Sequence, residues 1–164
     1  MKYFIISVFV IFVSHFVQAQ FRKQVVMQFS ITQSYCGGAA PTEGVLNNLK
    51  NKPPFAFKTI YVHKGEKCID SLKTDSLGSV AKKFRKGKYN LFLPYKHFKT
   101  VPFGENKEFD MVCMEKEWKV ADATLEVNCS SKVLVNKRIG HEFCSWQYNC
   151  LKERHIPPLA PKQN

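Results

Sequence analysis

Apolar residues fall at every second position over residues 24–33, and this alternation constrains the fold more than any other feature. Val25, Met27, Phe29 and Ile31 share one parity, and Gln24, Gln28, Ser30 and Thr32 the other, with Val26 out of step. A period of two places alternate side chains on opposite faces of a strand, so this segment reads as a half-buried β-strand. The same logic predicts strands over 57–63, with Ile60 and Val62 inward, and over 68–72 after a turn at Gly65. Further strands are expected over 79–85 (Val80, Phe84 inward), 88–94 (Tyr89, Leu91, Leu93), 121–127 (Leu125, Val127) and 132–137. The short Lys86-Gly87 connection predicts an antiparallel hairpin between the fourth and fifth strands. Helix is confined to two short stretches. One is 42–50, ended by Lys52-Pro53-Pro54; the other lies within 109–118, with Phe109, Val112 and Cys113 on its inner face. About seven short strands separated by turn signals predict an all-β fold, an antiparallel β-sandwich over residues 20–152.

Residues 1–19 predict a secretory leader. Lys2 precedes an apolar run over Phe4–Val13, and Val17-Gln18-Ala19 places small residues at a cleavage site after Ala19. The run is too short for a transmembrane span, and nothing after it is long and apolar enough to make one. The mature chain is then about 145 residues, secreted or periplasmic, with a proline-rich tail over 153–164. Export makes the six cysteines, Cys36, Cys68, Cys113, Cys129, Cys144 and Cys150, candidates for disulfides. No pair has the Cys-x-x-Cys spacing of a zinc ribbon or a thioredoxin-like site. Cys144 and Cys150 either clip one loop to itself or tie it elsewhere, with Cys36 favoured to join this C-terminal region.

The formal charge of +12 suits an acidic polymer, an anionic membrane surface or a merely solvated lysine-rich exterior. The basic residues concentrate at Lys82, Lys83, Arg85, Lys86 and Lys88, interleaved with Phe84 and Tyr89. In a β-sheet protein that interleaving is core aromatics alternating with solvent cations, and export argues against nucleic acid as the partner. Trp146 and Tyr148, in the loop between Cys144 and Cys150, are the aromatic candidates for contact with an envelope polysaccharide or a protein partner. The oligomeric state is not encoded in any pattern here.

Around residues 56–93 the chain resembles a known family. The segment Ala56-Phe57-Lys58-Thr59-Ile60-Tyr61-Val62 is followed by Thr74-Asp75-Ser76-Leu77-Gly78-Ser79-Val80 and then Arg85-Lys86-Gly87-Lys88-Tyr89-Asn90-Leu91. This strand, Asp-x-x-Gly turn, strand and Gly-x-Tyr opening is similar to the carboxypeptidase regulatory-like and transthyretin-like (prealbumin-like) domains of exported bacterial proteins. The resemblance implies a β-sandwich acting as a non-catalytic accessory or binding module without a cofactor.

Catalytic motifs are missing. Cys36 before Gly37-Gly38 has the setting of a nucleophile, but an oxidising compartment favours a disulfide there. His141-Glu142 starts like a zinc-protease motif, yet position 145 is Ser where the second histidine belongs. No Gly-x-Ser-x-Gly, P-loop or dinucleotide fingerprint occurs. Asp75 and Asp70 read as turn-capping aspartates. A looser set of soft donors, His63, His97, His141, Met111 and Met114, suits copper, so the expectation is a non-enzymatic binding module with metal handling as the first alternative and an envelope-polymer enzyme as the second.

Overall fold

The computed structural model describes residues 22–36, 40–128, 134–142 and 148–152. The expected leader, the proline-rich tail, Cys129, Cys144 and Trp146 lie outside these residues. Among these described residues, seven strands form two sheets: β1 (Arg22–Gln33), β2 (Thr59–Lys64), β3 (Lys67–Lys73), β4 (Ser79–Arg85), β5 (Gly87–Phe92), β6 (Ala123–Val127) and β7 (Leu134–Glu142). The first sheet runs β4-β1-β7 and the second β3-β2-β5-β6. The alternation in β1 is realised: Val25, Met27 and Phe29 are fully buried and face Ile60, Val62, Leu91, Leu125 and Val127 of the opposite sheet in one core. At roughly 25 cal/mol per Å² of apolar surface removed from water, this interleaved layer is the main stabilising element of the sandwich.

The architecture departs from a purely antiparallel sandwich at one place. β1 pairs with β7 in parallel, Val26 beside Leu134 and Gln28 beside Asn136, with an irregularity after Ser30. The remaining pairs are antiparallel.

The hairpin expected at Lys86-Gly87 is overturned. β4 pairs with β1, and β5 pairs with β2 and β6, so the chain changes sheets at this corner. Gly87, at φ 151°, provides the bend, as strands that switch layers require a local kink. The Tyr89 hydroxyl donates to the Arg85 carbonyl across the corner at 2.7 Å while its ring stays buried against Phe84. The connection is short, but the apolar parity of both strands is satisfied with one strand in each layer.

Asp75 and Gly78 form the turn before β4. Asp75 Oδ1 accepts from the Leu77 and Ser79 amides at 2.9 and 2.7 Å. Gly78 sits at φ 71°, and a Cβ there would strike the Phe29 carbonyl oxygen and come within 2.9 Å of the Phe55 amide. Only glycine fits both the conformation and the approach.

Helix α1 (Glu43–Lys50) stays on the surface, with Val45 and Leu46 exposed. Helix α2 (Pro94–His97) follows β5 directly. Helix α3 (Met111–Glu117) is capped by Asp110, whose Oδ1 accepts from the Val112 and Cys113 amides. Its inner face differs from the expected one: Met114 and Cys113 turn inward and Val112 is exposed. Met114, Phe109, Tyr148 and Cys150 make a second, smaller core, closed by the Cys113–Cys150 disulfide.

Candidate metal centre

Two strands of the second sheet and the helix that follows β5 place their side chains at one spot. β2 and β3 join through a tight turn at Gly65, φ 62°, and the register sets His63 opposite Cys68. An irregularity between Val62 and His63 shifts the pairing at that point, and bulges of this kind re-aim side chains. β5 lies on the other side of β2, and α2 leaves its end to bring His97 back over the sheet. His63 Nε2 and His97 Nδ1 are 3.1 Å apart in a hydrogen bond. One ligand atom from each of His63, Cys68 and His97 lies within 4.8 Å of the others, and all three residues are half-buried.

The placement of His97 rests on a buried cation. Lys96 is 5% exposed. Its ammonium meets Glu117 at 2.9 Å, Asp122 at 3.1 Å and the Val120 carbonyl at 3.0 Å. Asp122 also accepts from the Leu93 amide at the start of α2. Burial raises the Asp122 carboxyl above its ordinary value, and the Leu93 amide and Lys96 partly oppose that. A buried ammonium with three oxygen partners is satisfied, and it fixes α2 to the segment around α3.

Aromatic rings enclose the imidazoles. Tyr61 stacks on His97 at 3.9 Å, Phe98 meets His97 edge-on at 4.8 Å, and Phe92 is tilted against His63 at 4.7 Å. Burial, and then the neighbouring His97, hold His63 below the usual histidine range, while hydrogen bonding to the Glu66 backbone works against them. Both main causes favour the neutral ring, the form that carries a free lone pair.

Of the soft donors expected from sequence, His63 and His97 come together. Met114 belongs to the second core, Met111 is exposed on α3, and the His141 side chain lies outside the described residues. Cys68 was expected in a disulfide and instead keeps a free thiol, a correction to the expectation that all six cysteines are bridged. Cys113 and Cys150 bond to each other, and Cys36 is also disulfide-bonded. The expected link between Cys36 and the C-terminal loop involves residues outside those described. The thiol of Cys68 instead turns to the Asp70 carbonyl, 3.6 Å away. The signal for it was the His63-x-x-x-x-Cys68 spacing around Gly65, which a tight hairpin converts into a cross-strand pair.

The other candidates are scattered. Tyr148, expected as an exposed contact residue, is buried between Phe103 and Phe109, because Cys150 ties its segment to α3 rather than to Cys144. Burial raises its phenol and that of Tyr95 above their ordinary value. The basic run is divided by the change of sheet. Lys83 and Arg85 stand on the outer face of the first sheet beside Gln24 and Arg22. Lys82 forms an ion pair with Asp70 at 2.7 Å, bridging the edge strands β4 and β3. Lys86 is exposed at the corner, and Lys88 faces Glu126 on β6.

No family model matches the chain, and no curated protein does. Among solved structures it is similar to the Bacillus anthracis TIE protein, with 15% identity over 71% of this chain and a TM-score of 0.31. The chain spans 17% of that protein's length, so the likeness carries no argument about fold or activity. No helix among the described residues is long and apolar enough to cross a membrane.

Proposed function

We propose that this chain is an exported, non-catalytic β-sandwich protein that binds a soft transition metal, copper or zinc, at His63, Cys68 and His97. One observation carries the reading: two imidazole nitrogens and a free thiol sulfur, from three separate elements, lie within 4.8 Å of one another. Imidazole and thiolate are the donors that copper and zinc prefer, whereas calcium, magnesium and manganese prefer oxygen. A transthyretin-like frame is part of the proposal. The Asp75–Gly78 turn between β3 and β4 and the Gly87-x-Tyr89 opening of β5 support it.

The test is metal retention. Purified chain mixed with excess copper or zinc and then desalted should keep one equivalent, and the His63→Ala/His97→Ala double variant should keep none. A chain that retains no metal, or a double variant that retains as much as the parent, defeats the proposal.

A second reading is favoured by the outer face of the first sheet. Arg22, Lys83, Arg85 and Arg138 are exposed there beside Gln24 and Ser30, a basic surface suited to an anionic envelope polysaccharide. Salt-sensitive retention on an anionic polysaccharide, abolished by Lys83→Glu/Arg85→Glu, checks it.

A further inference from the structure

Resting on the metal-binding reading, the geometry points to a narrower ligand: we infer that the His63–Cys68–His97 site is built for monovalent copper, held by three ligands. The first argument is the donor count. Among the described residues, no carboxylate joins the two histidines and the cysteine. Zinc in a closed protein site takes four ligands in a tetrahedron, so this set leaves it one short. Copper(I) is a filled-shell soft ion that accepts three ligands in a plane; thiolate suits it as it suits zinc, so the ligand number separates the two.

The second argument is the wall around the site. The ligands a dication would recruit are water molecules. The flanks of the two imidazoles are instead taken by Tyr61, Phe92 and Phe98. The ring faces of Tyr61, Phe92 and Phe98 offer no hydrogen bond to a metal-bound water, so they disfavour a fourth ligand on the flanks they cover.

Charge is the third argument. One thiolate and one monovalent ion cancel, so the loaded site is neutral. A dication on the same ligands leaves a net positive charge in a half-buried place. Lys64 and Lys67 face each other at the end of the same hairpin and flank Glu66, so the turn carries two cations to one acid, and Asp70 of β3 is engaged by Lys82. The surroundings therefore penalise the extra charge.

The reach of the ligands is compatible. With metal–nitrogen bonds of about 2.0–2.1 Å, trigonal ligands place their nitrogens about 3.5 Å apart. His63 Nε2 and His97 Nδ1 stand at 3.1 Å, so loading replaces their hydrogen bond after a small separation. On binding, Cys68 gives up its thiol proton to water and forms the copper–sulfur bond, the imidazole that donated in the His63–His97 hydrogen bond carries its proton on its other ring nitrogen, and neither sulfur nor copper changes oxidation state.

The experiment titrates the purified chain, under argon, with copper(I) against a chromophoric copper(I) chelator, and separately with zinc(II) against a zinc chelator. X-ray absorption at the copper edge then reads the ligand number. One equivalent of copper(I), three-coordinate with mixed nitrogen and sulfur ligands, and zinc bound at least about a hundredfold more weakly, is the expected result. Zinc bound as tightly as copper(I), or a four-coordinate copper, overturns the copper(I) inference and leaves the metal-binding reading standing. Failure of both ions to bind overturns both. Cys68→Ser and His97→Asn should each weaken copper(I) by about a hundredfold or more while near-ultraviolet circular dichroism shows an intact core. Unchanged copper(I) binding in either folded variant overturns the assignment. Should one variant fail to fold, the other and the absorption edge of the parent still decide.

Discussion

Lys96 shows how much one residue can hold. Its ammonium is nearly sealed from water, yet it has Glu117, Asp122 and the Val120 carbonyl as partners. Removing one member of a buried ion pair strands the other, at a cost of about 3–5 kcal/mol, so Lys96→Met should lower stability by that much. The loss should depend on pH in a defined sense. Asp122 already has a carboxyl raised above 3.8 by burial, and Lys96 is one of the groups that oppose the rise. Without Lys96 the folded-state pKa climbs further. A raised folded pKa contributes stability that is present below the unfolded value and lost as pH rises through the folded one. The variant should therefore be closest to the parent in acid and fall away toward neutral pH, as read from urea unfolding at both. A pH-independent difference would show that Asp122 does not carry the effect. Little of this was legible in the sequence, because no local pattern reveals that Asp122 and Glu117 fold back onto Lys96.

At the level of elements, the parity of β1, β2, β5 and β6 was readable because each buries one face against the other sheet. What could not be read was partnership. Local alternation is the same whether β4 turns back on β5 or crosses to the other layer, and the choice is made by long-range contacts of β1 with β4 and of β2 with β5. The parallel β1–β7 pair is likewise a product of the whole chain, since the two strands stand at opposite ends of it. The candidate site was half legible: His63 and His97 stood out as soft donors, but Cys68 was masked by the general rule that exported cysteines pair. The second core is where a bridge does act. The Cys113–Cys150 disulfide closes a loop of 37 residues between α3 and the C-terminal segment. A loop of that length restricts the unfolded chain by about 3–4 kcal/mol, so Cys113→Ser/Cys150→Ser should lose close to that amount. Denaturant unfolding of the double variant checks it, and the exposure of Tyr148 to quenchers should rise in parallel.

At the scale of the molecule, the candidate metal site takes its ligands from elements tied to the two cores. His63 belongs to β2 inside the main sandwich, while His97 sits on α2, which Lys96 ties to Glu117 of α3 and to Val120 and Asp122. Trp118, at the end of α3, donates to the Thr100 carbonyl just beyond α2 and packs on the second core. A metal bound to His63, Cys68 and His97 thus cross-links the sheet to the segment that carries the smaller core. Binding to the folded form alone stabilises it by about 2.7 kcal/mol when free metal stands a hundredfold above the dissociation constant. For a domain of this size that corresponds to a rise of about 5–10 °C in the melting temperature. The position of the site predicts more than the size of the shift. In a Trp146→Phe background, the melt followed by Trp118 fluorescence should move upward together with the melt followed by the strand signal in circular dichroism. Were the ion to raise only the strand transition, the two cores would be melting separately and α2 would not transmit the cross-link. Coincident transitions that rise together with metal, and stop doing so in Cys68→Ser, would place the ion where sheet and satellite core meet.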